Sequence, residues 1–311
     1  MDPRTFLSLL VVAGVTVVAA PAQGLRWSMN FEQAVALARK THKPLMVYVV
    51  GRTGDRDDDM EASQKKAFRN PVVAEVARRF VPVKISRSRY RPLLAEWGLP
   101  PRTNLEVVFV RPDGTLIDRL SPSGVGNAET FVEKMVLVFR AYRDEFYQQQ
   151  IRPKLTAADV KPRDVLRAIR WIRDFNILSA DRDLIALLDR RDLTDSVRKR
   201  LYDVLAQLST RPAVQTLLKR AKSGDKLAVA ALSRCTPEAA EWMLDDLGGP
   251  DMQAHVLVYH AVTKICRVPK AKPDKFWQIK IERLKREEIE RVRRIVRDVA
   301  KKWRTRYGQL R

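Results

Sequence analysis

From Trp27 to Gln150 the spacing of apolar residues switches repeatedly between a helical and an extended period. In "NFEQAVALARKTHK", Phe31, Ala34, Val35 and Ala38 share one helical face behind Asn30, a residue type suited to cap a helix start. Pro44 to Val50, "PLMVYVV", is instead a continuous apolar, β-branched run closed by Gly51, the pattern of a strand covered on both faces. Asn70 and Pro71 open a short helix in "NPVVAEVARRF", and "VPVKI" follows as a second strand. "RPLLAEWG" predicts another helix, stopped by Gly98 and the Pro100-Pro101 pair. The strand "LEVVFV", the turn "RPDG" and the strand "TLIDRL" predict a hairpin. A last helix, "AETFVEKMVLVFRAYRDEFY", sets Phe131, Met135, Val138 and Tyr142 along one side. This succession implies a mixed sheet with helices on both faces, without fixing the strand order.

Gln148 to Asp164 is polar and holds two prolines, which places a boundary between an α/β domain over 23–152 and an all-α domain over 153–311. From Pro162 onward no strand pattern appears. The segments "VLRAIRWIRDF", "DLIALLDR", "DSVRKRLYDVLAQLS", "PAVQTLLKRAKSG", "KLAVAALSRC", "PEAAEWMLDDLGG" and "DMQAHVLVYHAVTKIC" are short and amphipathic, so they must stack to bury their apolar faces. Three of them recur roughly 25 to 30 residues apart, within the range of helical repeats. Beyond "RVPKAKPDK", Trp277, Ile281, Leu284, Ile289, Val292, Val296, Val299 and Trp303 form a stripe in a run from Lys275 to Arg306 otherwise rich in Lys and Arg. Docking on the helical stack is the ordinary fate of such a stripe; the alternatives are an interfacial membrane helix and a contact to a partner.

Charge adds a second axis. The chain of 311 residues carries a formal net charge of +22. Residues 153–311 hold 36 Lys plus Arg against 21 Asp plus Glu, while 23–152 hold 22 against 15. Such a field draws polyanions: phospholipid head groups, anionic wall polymers or nucleic acid. The N-terminus bears on which of these it meets. Arg4, the apolar run Phe6 to Ala20 and Ala20-Pro21-Ala22 read as an export signal over residues 1–22, cleaved between Ala22 and Gln23. The run falls short of the ~20 apolar residues a retained membrane anchor needs. The mature protein is therefore expected in the periplasm, the cell envelope or outside the cell, where nucleic acid is the least accessible polyanion.

Candidate chemistry is sparse. Cys235 and Cys266 are the only cysteines, and an oxidising compartment permits a disulfide, a buried pair of free thiols or a redox pair between them. His255 and His260 are five apart, not the i, i+4 spacing of two metal ligands on one helix face, and His42 stands alone. Asp55, Asp57 and Asp59 match the start of a calcium loop, but Met60 and Lys66 stand where that loop needs Gly and an acid. They read instead as carboxylates at a helix start. "SGVGN" (Ser123 to Asn127) lacks the lysine and strand context of a phosphate cradle, and no G-x-S-x-G or G-x-G-x-x-G motif occurs. No catalytic, cofactor-binding or metal-binding residue is assigned.

A distributed pattern does carry a resemblance. It comprises Trp27, then Phe31, Ala34 and Ala38, then Lys43-Pro44-Leu45 with Val47, then Phe68, Asn70-Pro71 and Val73, then "FVPVK" (Phe80 to Lys84) and "VVFVRPDGTLIDRL". Over about 120 residues these positions resemble the exported, single-domain thioredoxin-like proteins. The resemblance implies a thioredoxin fold, and also a CxxC pair that this chain lacks. Counting forward from Lys43 puts the pair at Gly54 and Asp57, and counting back from Phe68 puts it at Asp57 and Met60. The family's cis-proline slot falls on Leu105, or on Pro100 or Pro101 if the loop is shifted. Disulfide exchange needs a thiolate and a resolving thiol, so the implied redox activity does not carry over. The second half resembles HEAT-like α-solenoids, which mostly bind proteins along a groove.

The expected function is that of a non-catalytic, exported thioredoxin-fold protein with a HEAT-like helical domain, acting as a protein-binding or scaffolding module for an unidentified protein partner. No cofactor and no small-molecule substrate are expected. The alternatives are a thiol-disulfide oxidoreductase using Cys235 and Cys266, and a binder of anionic membrane or wall-polymer surfaces through the basic C-terminal half.

Overall fold

A computed structural model describes residues 24–51, 55–157, 161–190 and 192–308, excepting the side chains of 55–58 and 306. The segment read as an export signal, 1–22, lies outside the described residues. The chain is a helix-rich α/β protein with one small mixed sheet, divided into two units, Met1–Met135 and Val136–Arg311.

In the first unit the caps legible in the sequence form. The Asn30 side chain accepts from the Gln33 N–H at 2.9 Å to open α1 (Phe31–Thr41), and Asn70 accepts from Val72 and Val73 to open α3 (Pro71–Ala77). Between them run β1 (Leu45–Val50) and α2 (Asp55–Phe68). Then follow β2 (Val81–Ser86), α4 (Arg91–Glu96), β3 (Glu106–Val110), β4 (Leu116–Leu120), α5 (Pro122–Gly126) and α6 (Ala128–Phe146). The strand order is β2-β1-β3-β4, with β1 parallel to β2 and the pairs β1–β3 and β3–β4 antiparallel.

Central β1 is buried from Leu45 to Val49, as its uninterrupted apolar run requires. The register aligns Val47 with Val83 and Val108, so the odd residues of β1 join Ala34 and Ala38 of α1 and Leu94 of α4 in one core. The opposite face carries Met46, Tyr48, Val107 and Phe109, capped by an aromatic cluster: the rings of Trp27 and Phe68 lie 5.3 Å from that of Tyr48, and Phe131 lies 6.1 Å from Phe68. Each fully buried aliphatic or aromatic residue in these layers contributes roughly 1.5–3 kcal/mol. The hairpin turn forms at "RPDG": Gly114 adopts φ +101°, and the Thr115 N–H donates to Asp113 at 2.9 Å.

The two units divide within α6, ahead of the polar stretch 148–164 where the composition placed a boundary. Aromatic packing accounts for this. Phe139 stacks on Phe175 at 5.9 Å, and Phe146 meets both Trp171 and Phe175. A π-helical turn, Tyr147–Ile151, leads to α7 (Arg152–Thr156), α8 (Pro162–Phe175), α9 (Asp181–Leu188), α10 (Asp195–Leu208), α11 (Arg211–Lys222) and α12 (Lys226–Leu232). The series ends with α13 (Pro237–Trp242), α14 (Met252–Ile265), α15 (Asp274–Trp277) and α16 (Glu282–Tyr307), and no strand occurs among the described residues of this unit. Side chains of Thr194, Thr210, Asp225 and Asp251 cap α10, α11, α12 and α14. Near neighbours pack together: α8 on α10, α10 on α11 and α12, and α13 on α14 and α16.

The C-terminal stripe differs from its expected form. Trp277 closes the short α15 rather than opening the long helix, because its ring inserts against His255 and Tyr259 of α14 at 4.3 and 4.7 Å. The long helix docks through Val292, Val296 and Ala300, all fully buried, leaving Ile281 and Leu284 exposed.

Candidate functional site

Three places in the sequence were candidates for chemistry, and the structure gives each a setting. The first is the junction of β1 with α2. Gly54 and the side chains of Asp55 and Asp57 lie outside the described residues, Asp59 is exposed and Met60 is half-buried. Behind the junction sits Gln64, fully buried, with its whole amide engaged. Its Oε1 accepts from the Tyr48 hydroxyl at 2.7 Å, and its Nε2 donates to the carbonyls of Leu105 at 2.9 Å and Pro122 at 2.8 Å. Burial pushes the Tyr48 phenol well above its ordinary value, so it remains a donor. Leu105, the position counted for the cis-proline slot, is buried at φ +56° immediately before β3, whereas Pro100 and Pro101 are exposed. Asn104 accepts from the Gly51 N–H, and the Arg87 guanidinium lies where a side chain at Gly51 would stand, 2.8 Å from an added Cβ. The Gln64 contacts form a neutral, saturated hydrogen-bond hub. Sequence reasoning passed over Gln64, although its spacing from Met60, Ala67 and Phe68 puts a polar residue on an otherwise apolar helical face.

The second place is the thiols. Cys235 and Cys266 are free and buried. Burial pushes the Cys235 thiol up to about 12 and the Cys266 thiol up to about 11, the reverse of the depressed value an attacking thiolate has. The third is the histidines. His255 is buried, accepts from the Gly248 N–H at 2.7 Å through Nδ1, and is held below its ordinary value by burial and by Lys285. His260 is exposed and pairs with Asp274. Among the described residues no group of three His, Cys, Asp or Glu side chains is placed to hold a metal ion.

An open groove in the helical unit was not marked in the sequence. Val229, Ala230 and Ser233 of α12 face Met252, Val256, Leu257 and His260 of α14 across a groove of about 740 Å³, closed at one side by Trp277. Val229 and Met252 are 41% and 47% exposed, high for aliphatic side chains beside a core. Lys264 ends the groove face of α14, and Lys226 precedes Val229 and Ala230 by one helical turn on α12. Its signal lies in two separate i, i+4 patterns that only the fold brings together.

The fold and these settings define a helix-rich α/β protein with a closed polar hub in one unit and an open apolar groove in the other. Comparison of the chain with protein-family models, curated proteins and solved structures gives no match. Among the described residues no helix is long and apolar enough to cross a membrane.

Proposed function

We propose that this protein is a non-catalytic binding module: a thioredoxin-like domain without redox chemistry joined to a helical-repeat domain that holds an acidic, amphipathic helix of a partner protein. The observation that carries the reading is the groove between α12 and α14, lined mainly by apolar side chains, with its one carboxylate, Asp274, paired with His260, and flanked by Lys226 and Lys264, neither of which has an ion-pair partner among the described residues. An amphipathic helix laid in such a groove is a recurring mode of peptide recognition, and the two lysines favour acidic flanks on it. The thioredoxin-like reading is supported by β1 running into α2, by parallel β2 and by the terminal antiparallel hairpin, the succession the resemblance implied. The HEAT-like reading is supported by the pairwise packing of short helices from α8 to α14. Export remains part of the proposal, tested by N-terminal sequencing of the native protein for a start at Gln23.

The groove is tested by calorimetry on the full chain with a synthetic Leu/Glu amphipathic helix and its Leu/Lys counterpart. The acidic peptide is expected to bind saturably, and Met252→Asp to weaken it at least ~tenfold, as loss of a buried anchor does. Equal binding of both peptides, no binding, or a concentration-dependent dimer abolished by Met252→Asp overturns the assignment; the last outcome would make a second copy the occupant.

A second reading rests on its own observation. Arg286, Arg294, Arg297 and Lys301 fall within an arc of ~80° on α16 at 100° per residue and lack ion-pair partners among the described residues, while Glu290 in that arc is paired with Arg293. This ridge suits an anionic lipid surface, with binding that falls steeply as salt rises. Retention on phosphatidylserine vesicles that is indifferent to Arg294→Glu with Arg297→Glu sinks that reading. The oxidoreductase alternative finds little support in two buried thiols held protonated. Insulin reduction that Cys235→Ser abolishes would restore it.

A further inference from the structure

A cleft of about 450 Å³ lies between α8 and α10, apart from the groove and from the α16 ridge. Helical spacing builds it: Leu166, Ile169, Arg170 and Arg173 recur at three- and four-residue intervals on α8, as Ser196, Arg200, Asp203 and Val204 do on α10. Its charges do not cancel internally. Asp203 is already engaged by Arg234 at 2.7 Å, from outside the cleft, and Arg173 pairs with its neighbour Asp174 at 2.8 Å. Arg170 and Arg200 are left without an ion-pair partner among the described residues. Two uncompensated guanidinium groups and the Ser196 hydroxyl thus share a cavity with the ion-paired Arg173 and Asp203 and the aliphatic Leu166, Ile169 and Val204.

We propose that this cleft binds a phosphate monoester bearing a small apolar body. The charge argument selects the class. A phosphate monoester carries about −1.5 to −2 near neutral pH, matching the two free guanidinium charges, whereas a monocarboxylate neutralises only one. Guanidinium forks pair bidentately with phosphate oxygens, and the Ser196 hydroxyl adds a donor. The cavity is much larger than a phosphate group, which leaves room for the carbon body of the ester beside the half-buried Leu166.

The test is calorimetric titration of the full chain at fixed ionic strength with phenyl phosphate, benzoate and inorganic phosphate. Phenyl phosphate is expected to bind at a single saturable site, ~tenfold or more tighter than benzoate, which lacks the second charge, and than inorganic phosphate, which lacks the ring. Arg170→Gln and Arg200→Gln should each weaken it by ~tenfold, and Arg170→Lys, which keeps the charge and loses the fork, by less. Arg91→Gln removes the same charge from the exposed start of α4 and should leave the affinity unchanged. Unaltered far-UV circular dichroism of the variants establishes that they fold, and Arg170→Lys serves if Arg170→Gln does not. Absence of saturable binding, equal affinity for benzoate and phenyl phosphate, or an equal loss in Arg91→Gln would overturn the proposal.

Discussion

Each unit of this chain secures a helix through a buried polar hub, and the two hubs are built from opposite chemistry. In the first, the neutral amide of Gln64 holds α2 to Tyr48, Leu105 and Pro122. In the second, the carboxylate of Glu288 on α16 accepts from the Tyr259 hydroxyl at 2.7 Å and from both Nε and a terminal nitrogen of Arg291 at 2.8 and 2.7 Å. Tyr259 in turn accepts from the Lys272 N–H, and His255 sits one turn earlier on α14. An amide has one charge state at every pH. The carboxylate and the imidazole do not, so the second hub depends on protonation as well as geometry.

The comparison breaks most sharply at Gln64. Gln64→Leu keeps the volume but strips partners from one hydroxyl and two carbonyls, each worth ~1–3 kcal/mol when left unsatisfied. A loss of ~3–5 kcal/mol is expected in urea denaturation followed by near-UV circular dichroism. A loss below ~1 kcal/mol would mean that water enters to replace the amide. Glu288→Gln should cost less, ~1–2 kcal/mol, because it still accepts from Tyr259 and because Arg291, with a side chain 36% exposed, can turn to solvent. If it proves the costlier of the two, charge rather than saturation secures these helices.

Acidification sharpens the contrast further. Although burial pulls the Glu288 carboxyl upward, Arg291 and Tyr259 hold it below its ordinary value, so its contribution is present above the unfolded carboxylate range near pH ~4.3 and is lost as pH falls through the folded value. His255 is lowered by burial, so the unfolded chain binds its proton first and stability begins to fall below pH ~6.5. In the first unit, Asp113 is lowered chiefly by the Thr115 N–H and Glu106 is raised by burial, and these act in opposite senses. The helical unit should therefore lose stability as pH drops from 7.5 to 5.5, through His255 rather than Glu288. The smallest predicted effect isolates the imidazole: His255→Asn, which offers Gly248 an oxygen in place of Nδ1, should reduce the melting-temperature loss over that interval by ~2–4 °C. An unchanged slope would show that other groups set it.

Much of this architecture was readable where residue chemistry acts locally. Asn30 and Asn70 marked helix starts because a cap needs only its own next three residues, and the unbroken apolar run of β1 announced a strand covered on both sides. The strand order was not readable, since register is settled by which faces meet across the sheet. The spacing of Gln64 set it on an apolar helical face, but its partners, the Leu105 and Pro122 carbonyls, come from distant sequence. Lys285 and Glu288 lie outside the apolar stripe of the C-terminal run, yet both are buried. Trp277 satisfied the period of the long stripe by coincidence, its ring being fixed by α14. The groove and the cleft each needed two helical faces brought side by side, which no single periodic segment encodes.

Leu105 sets a limit on how this chain can be altered. Its backbone lies at φ +56°, where an L-residue is strained by roughly 1–2 kcal/mol, and its side chain is 2% exposed. Glycine relieves the torsion but opens a void costing ~2–5 kcal/mol, and every larger L-residue keeps the torsion. The position is thus caught between shape and handedness: D-leucine would suit the torsion but project its side chain from the other side of Cα, out of the buried site. A semisynthetic chain carrying D-leucine at 105 should therefore be less stable than the natural one.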